Sequence, residues 1–181
     1  DIVAADRREG LPRLTVAHII LPHPPFLRDA DCDFVNTGVR RAFTSPSDEL
    51  IENRRDFYAD QLECTNAKLT EAISAIVEDS PATLIMITGD HGSGSTRLAN
   101  ADQQEWPDSA IKERMSILSA YRLPGCDDSV YPSISPVNGT RFLANCAGNV
   151  ELPRIPDRTL WAPHNGKGAV SDVAASLMSS G

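Results

Sequence analysis

The sequence predicts an α/β fold in which helices flank a mainly parallel central sheet. Residues 14–21 (LTVAHIIL) and 83–88 (TLIMIT) are short apolar runs rich in β-branched residues, the composition of buried strands. Between them, Leu62, Leu69, Ile73 and Ile76 recur at helical spacing. Strand, helix, strand in that order reads as a right-handed crossover, which leaves the two strands parallel. The chain of 181 residues is long enough for a real core, and residues 1–181 read as a single domain without repeats or low-complexity tracts.

Each element has a local reason. Residues 1–13 are polar and charged, a lead-in with little structure of its own. Pro22 stops the first strand. His23-Pro24-Pro25-Phe26 follows as a stiff turn, because each proline fixes its own φ and restrains the residue before it. Residues 27–46 form a polar loop anchored by Phe34, Val35 and Phe43. Ser45-Pro46-Ser47-Asp48-Glu49 opens a helix with a hydroxyl cap, a proline in the first turn and acids at the positive dipole end. That helix runs to about Glu78 and ends at Ser80-Pro81. Gly89 closes the second strand.

After a polar loop over 96–108, residues 111–115 suit a helical turn, and 116–123 (SILSAYRL) suit a third strand closed by Leu123-Pro124-Gly125. Ser135-Pro136 begins another capped helix through about Ala147, ended by Gly148. The chain is then Pro-rich, with a short strand expected at 159–161 and a last short helix at 170–178.

The formal net charge of −8 argues against a nucleic-acid partner or an anionic membrane surface. An anionic substrate would then need a local cation. No apolar run approaches the roughly eighteen residues of a membrane span. Cys32, Cys64, Cys126 and Cys146 show neither C-x-x-C nor zinc-ligand spacing. They are either two loop-closing disulfides, 32–64 and 126–146, as in an oxidising compartment, or four thiols.

The stretch carrying chemistry is ATLIMITGDHGSGS. Its strand delivers Asp90 and His91 side by side into a Gly/Ser loop, at the edge of an α/β sheet where ligands collect. A carboxylate and an imidazole there suit a divalent cation, whether Mn²⁺, Zn²⁺, Mg²⁺ or Ca²⁺. The plainer alternative is a turn in which Asp90 caps the next segment and His91 is merely exposed. If the two strands are parallel, His23 reaches the same edge; otherwise it is a surface turn histidine. His18, inside a strand, and the isolated His164 are not enlisted, nor are Arg114 and Arg141, which sit alone on helices. Asn138-Gly139-Thr140 matches a glycosylation sequon, a tripeptide that also arises by chance.

Five segments occur in one order: HIILPHPPF, Tyr58-x-x-Gln61-x-x-Cys64-x-Asn66, ITGDHGSGS, ERMSILSAYRLPG and YPSISPVNGTRFLAN. Together, over roughly residues 14–162, they resemble the C-terminal half of the sulfatase-like branch of the alkaline phosphatase superfamily. The likeness is to bacterial membrane-anchored sulfatase-like proteins and, more distantly, lipoteichoic-acid synthases and phosphoethanolamine transferases. It implies a partial alkaline-phosphatase-like sandwich with a mainly parallel central sheet, and a metal-dependent hydrolase or transferase of phosphate or sulfate esters. By the same likeness Asp90 and His91 are metal ligands and His23 is the catalytic histidine that contacts the substrate's anionic group. A location outside the cytoplasm follows, with membrane contact only through segments upstream of this sequence. The family's Ser, Thr or formylglycine nucleophile lies on an N-terminal portion with another acidic ligand, and no segment before Leu14 matches it; C-x-P-x-R is also absent. The expectation is thus either the metal-binding half of an enzyme or a catalytically inactive binding or scaffold domain.

Overall fold

Helix α1 (Asp48–Asp79) is the longest element, and its 32 residues contain neither glycine nor proline. It stops where expected: the Ser80 N–H makes a last bond to the Ile76 carbonyl at 2.9 Å, and Pro81 cannot continue the helix. In this computed structural model the described residues are 13–35, 48–93, 107–126, 130–148, 150–161 and 170–174. The expected cap at Ser45-Pro46, the anchor Phe43 and His164 lie outside them. The chain divides into two units, Asp1–Pro81 and Ala82–Gly181.

In the first unit the helix packs by a polar face. Gln61, Cys64 and Thr65 are buried together with Phe26, while Leu62, Leu69, Ile73 and Ile76 remain half-buried. Residues 22–35 lie on that face. Phe26 meets Tyr58 edge-on, with ring centroids 6.2 Å apart, and an antiparallel bridge joins Arg28 to Phe34. A disulfide links Cys32 to Cys64 across 32 residues, a closure that removes about 3–4 kcal/mol of unfolded-chain entropy.

The second unit opens with β1 (Ile85–Thr88), which leads through α2 (Asp108–Met115) to β2 (Ser119–Arg122). The strands are antiparallel, with Ile85 opposite Arg122 and Thr88 opposite Ser119. Helix α3 (Pro136–Gly148) follows the expected limits: the Ser135 hydroxyl accepts the Asn138 N–H at 3.3 Å, with Pro136 in the first turn. Gly139 lets the helix approach β2, since a Cβ there would lie 2.2 Å from the Tyr121 hydroxyl oxygen. A second disulfide joins Cys126 to Cys146. Strands β3 (Leu160–Trp161) and β4 (Ser171–Asp172) then pair antiparallel.

The expected fold class is overturned. Three helices and two small antiparallel two-stranded sheets are present, with no parallel central sheet among the described residues, so the architecture is not an alkaline-phosphatase-like sandwich. Residues 14–21 pair with nothing among the described residues, and Leu14 and Val16 are 81% and 82% exposed. A strand needs a neighbour for its N–H and C=O groups, and propensity only makes a run suitable for one. β1 takes β2 as that neighbour, and the parallel crossover disappears. Residues 171–172 likewise form β4 instead of opening a helix, and 175–178 lie outside the described residues.

A polar network ties α3 to the chain after it. The Asn138 side chain, 1% exposed, donates to the Ile155 carbonyl and to Asp157 Oδ1, both at 2.8 Å, and accepts the Ile155 N–H at 3.1 Å. Such an amide is closed to glycosylation in the folded unit. Asp157 also accepts the Ser135 N–H at 2.7 Å and the Tyr131 hydroxyl. Desolvation alone would raise the Asp157 pKa, but hydrogen bonds from Ser135, Tyr131 and Asn138 outweigh it and hold the carboxyl well below its ordinary 3.8. The ionised form is therefore the one that stabilises the fold: its contribution is complete above about pH 4 and is lost as pH falls toward the depressed native value. Asp157→Asn should cost about 1–2 kcal/mol at pH 7, because an amide turns a donor toward donors. In urea titrations the gap to wild type should narrow steadily below pH 4; a gap independent of pH would refute the assignment.

Candidate metal centre

The loop after β1 is built by its neighbours. The Gly89 N–H donates to the Leu118 carbonyl at 2.9 Å, carrying the β1–β2 pairing one step past Thr88. The chain then turns, and the Gly92 N–H donates to the Arg114 carbonyl at 2.7 Å. The Gly92 carbonyl accepts Arg114 Nη1 at 3.2 Å, and the Ser93 hydroxyl hydrogen-bonds to Glu113 Oε1. The end of α2 thus clasps residues 92–93 from both main-chain and side-chain groups. Only glycine fits at 92, because a Cβ would stand 2.0 Å from the Glu113 carbonyl oxygen and 2.4 Å from that of Ser116.

Asp90 and His91 are held at the tip of this loop. Asp90 Oδ1 accepts the His91 N–H at 2.9 Å, which leaves Oδ2 turned toward the imidazole. His91 Nδ1 lies 2.9 Å from the Gly92 carbonyl. A carbonyl only accepts, so Nδ1 carries the hydrogen in this bond and the lone pair of the neutral ring sits on Nε2. Nε2 is 3.5 Å from Asp90 Oδ2, with the two side chains 35% and 88% exposed. A lone pair beside a carboxylate oxygen is unfavourable until a proton or a cation lies between them. For an ion about 2.1 Å from each of two ligands, a tetrahedral angle sets the ligands about 3.4 Å apart. The Asp90–His91 bite has that size. Fixing Nδ1–H on a main-chain carbonyl is also how metal-binding histidines are commonly oriented. The pair supplies two ligands, and among the described residues no group of three or more His, Cys, Asp or Glu side chains could hold an ion.

His23 belongs to the first unit and is positioned by a different device. Its N–H donates to the Ile20 carbonyl at 2.8 Å, and its Nδ1 is 2.5 Å from the Pro24 carbonyl, so Nδ1 again carries the hydrogen. Donation from Nε2 to an anion would require the imidazolium form. No parallel pair of strands aims His23 at the edge carrying Asp90 and His91, because residues 14–21 form no strand with β1.

Two site-building residues escape a sequence reading. Gln61, 0% exposed, accepts the Leu27 and Arg28 N–H groups at 2.8 and 3.3 Å and donates to the Pro22 and His23 carbonyls, both at 3.2 Å. One side chain therefore grips the turn on both sides of its prolines. The available signal was spacing: Tyr58, Gln61 and Cys64 fall at three-residue intervals on one helix face, each touching the 22–34 segment. Arg114 is the second; it looks like a solvated helix residue and instead braces Gly92.

Comparison of the chain with protein-family models, with curated proteins and with solved structures finds no match.

Proposed function

We propose that the chain is the metal-bearing part of a hydrolase or transferase of phosphate or sulfate esters acting outside the cytoplasm. The observation that carries this reading is the 3.5 Å bite between Asp90 Oδ2 and a His91 Nε2 whose ring is oriented by Gly92. The ordered motifs around that loop support the ester chemistry, and the two disulfides support an oxidising compartment. A bound divalent cation would supply Lewis acidity toward the phosphoryl or sulfuryl group. This chain's residues do the rest of the holding: Asp90 offsets part of the ion's charge, Gly92 and Arg114 keep the imidazole aimed, and Gly89 keeps the loop at the strand's end.

Thermal unfolding followed during titration with Mn²⁺, Zn²⁺, Mg²⁺ and Ca²⁺ tests the metal site. An ion present at ten times its dissociation constant should stabilise the second unit by about 1.4 kcal/mol in wild type and by nothing in an Asp90→Ala/His91→Ala double variant. Equal stabilisation of both proteins, or of neither by any of the four ions, would refute the site and favour an inactive binding module.

A further inference from the structure

Arg141 and Arg154 line one cleft, whose remaining walls are Asn138, Phe142, Asn145 and Leu152. Its volume of about 90 Å³ admits several water molecules or one small polyatomic ion. Two arginines lining one concavity run against the chain's net charge of −8. Among the described residues neither forms a salt bridge with a carboxylate.

Both arginines are held in place with donors to spare. Arg141 spends Nη1 on the Pro153 carbonyl at 3.1 Å, and its other N–H groups make no hydrogen bond among the described residues. Arg154 has its Cζ 4.1 Å from the centre of the Tyr131 ring, a cation–π contact that fixes the guanidinium while using none of its N–H groups. The neutral walls are already satisfied. Asn145 donates to the Leu152 carbonyl at 3.1 Å and accepts the Leu152 N–H at 2.8 Å, and Asn138 is consumed by Ile155 and Asp157. The charge of Asp157 is likewise taken up by Ser135, Tyr131 and Asn138.

We propose that this cleft binds a tetrahedral oxyanion group, phosphate or sulfate, free or at the end of a small ester. One guanidinium fork satisfies a planar carboxylate; two forks with unspent donors suit an anion that presents three or four oxygens and up to two charges. The inference does not depend on the metal reading, because it uses no residue of the Asp90–His91 loop.

The test is a titration of the full chain with inorganic phosphate, sulfate, phenyl phosphate, acetate and chloride at matched ionic strength. The readout is the arginine Nε–Hε resonances. Phosphate and sulfate should shift the Arg141 and Arg154 signals saturably in the millimolar range, in wild type and in the Asp90→Ala/His91→Ala variant alike. Phenyl phosphate saturates the same signals if the group is taken as an ester end, and leaves them unmoved if only the free ion fits; either result keeps the oxyanion site. Arg141→Gln and Arg154→Gln should each weaken binding about tenfold. Shifts that do not saturate, equal shifts with acetate and chloride, or unaltered binding in both arginine variants would overturn the site. So would binding abolished only in the Asp90→Ala/His91→Ala variant. The wild-type resonances decide the matter even if an arginine variant fails to fold.

Discussion

Gly92→Ala is expected to cost the second unit about 2–3 kcal/mol and to dislodge the loop that carries Asp90 and His91. The added Cβ would meet two main-chain carbonyl oxygens, of Glu113 at 2.0 Å and Ser116 at 2.4 Å, and main-chain atoms cannot rotate aside as a side-chain tip can. Relief requires residues 90–93 to move off the end of α2. That movement breaks the Gly92 N–H bond to Arg114 and withdraws the carbonyl that orients His91 Nδ1. Amide exchange at Gly92 should rise by about one to two orders of magnitude, and amides of α3 that exchange only through unfolding of the whole unit should rise by no more than that. Metal-dependent stabilisation should vanish along with it. If Gly92→Ala unfolds within about 0.5 kcal/mol of wild type and keeps its amide protection, the packing described for this loop is wrong.

Gln61→Leu should have an effect of similar size in the first unit, about 2–4 kcal/mol. Leucine fills much of the same space but leaves two N–H groups and two carbonyls of residues 22–28 without their partner. Hydrogen exchange at Leu27 and Arg28 reports the loss locally. Gln61→Glu separates hydrogen bonding from shape. A carboxylate can still accept from Leu27 and Arg28, but it faces the Pro22 and His23 carbonyls with lone pairs. It should be at least as damaging as leucine at pH 7 and recover in part at pH 4–5, where a protonated Glu regains one donor. A Gln61→Glu variant as protected as wild type at pH 7 would mean that the two donated bonds contribute nothing. Because the disulfide to Cys64 anchors the same segment one helical turn away, the turn bearing His23 should stay attached even when its grip loosens.

The polarity of Gln61 shows what a one-dimensional reading misses. A glutamine inside a charged helical stretch reads as solvated surface, and the apolar positions Leu62, Leu69, Ile73 and Ile76 read as the packing face. The structure reverses the emphasis, because the partners of Gln61 lie 33 to 39 residues away and the turn they occupy covers the polar face instead. The cysteines carry the same lesson: spacing alone left disulfides and thiols equally open, and the pairing rests on where residues 32 and 126 are brought.

What the chain determined by itself is everything whose cause lies within a turn or two. Ser135-Pro136 starts α3 and Ser80-Pro81 ends α1, since a cap or a proline acts on adjacent backbone groups. Asp90 and His91 meet because they are neighbours beyond a strand that does form. Tertiary structure alone decided which segment pairs with β1. Residues 14–21 and 119–122 both have strand-forming composition, and β1 is bonded to the second of these, antiparallel. That choice replaced the parallel sheet with a small antiparallel pair, because a strand's partner is selected by which backbone comes within hydrogen-bonding reach, and distant chain brings it there.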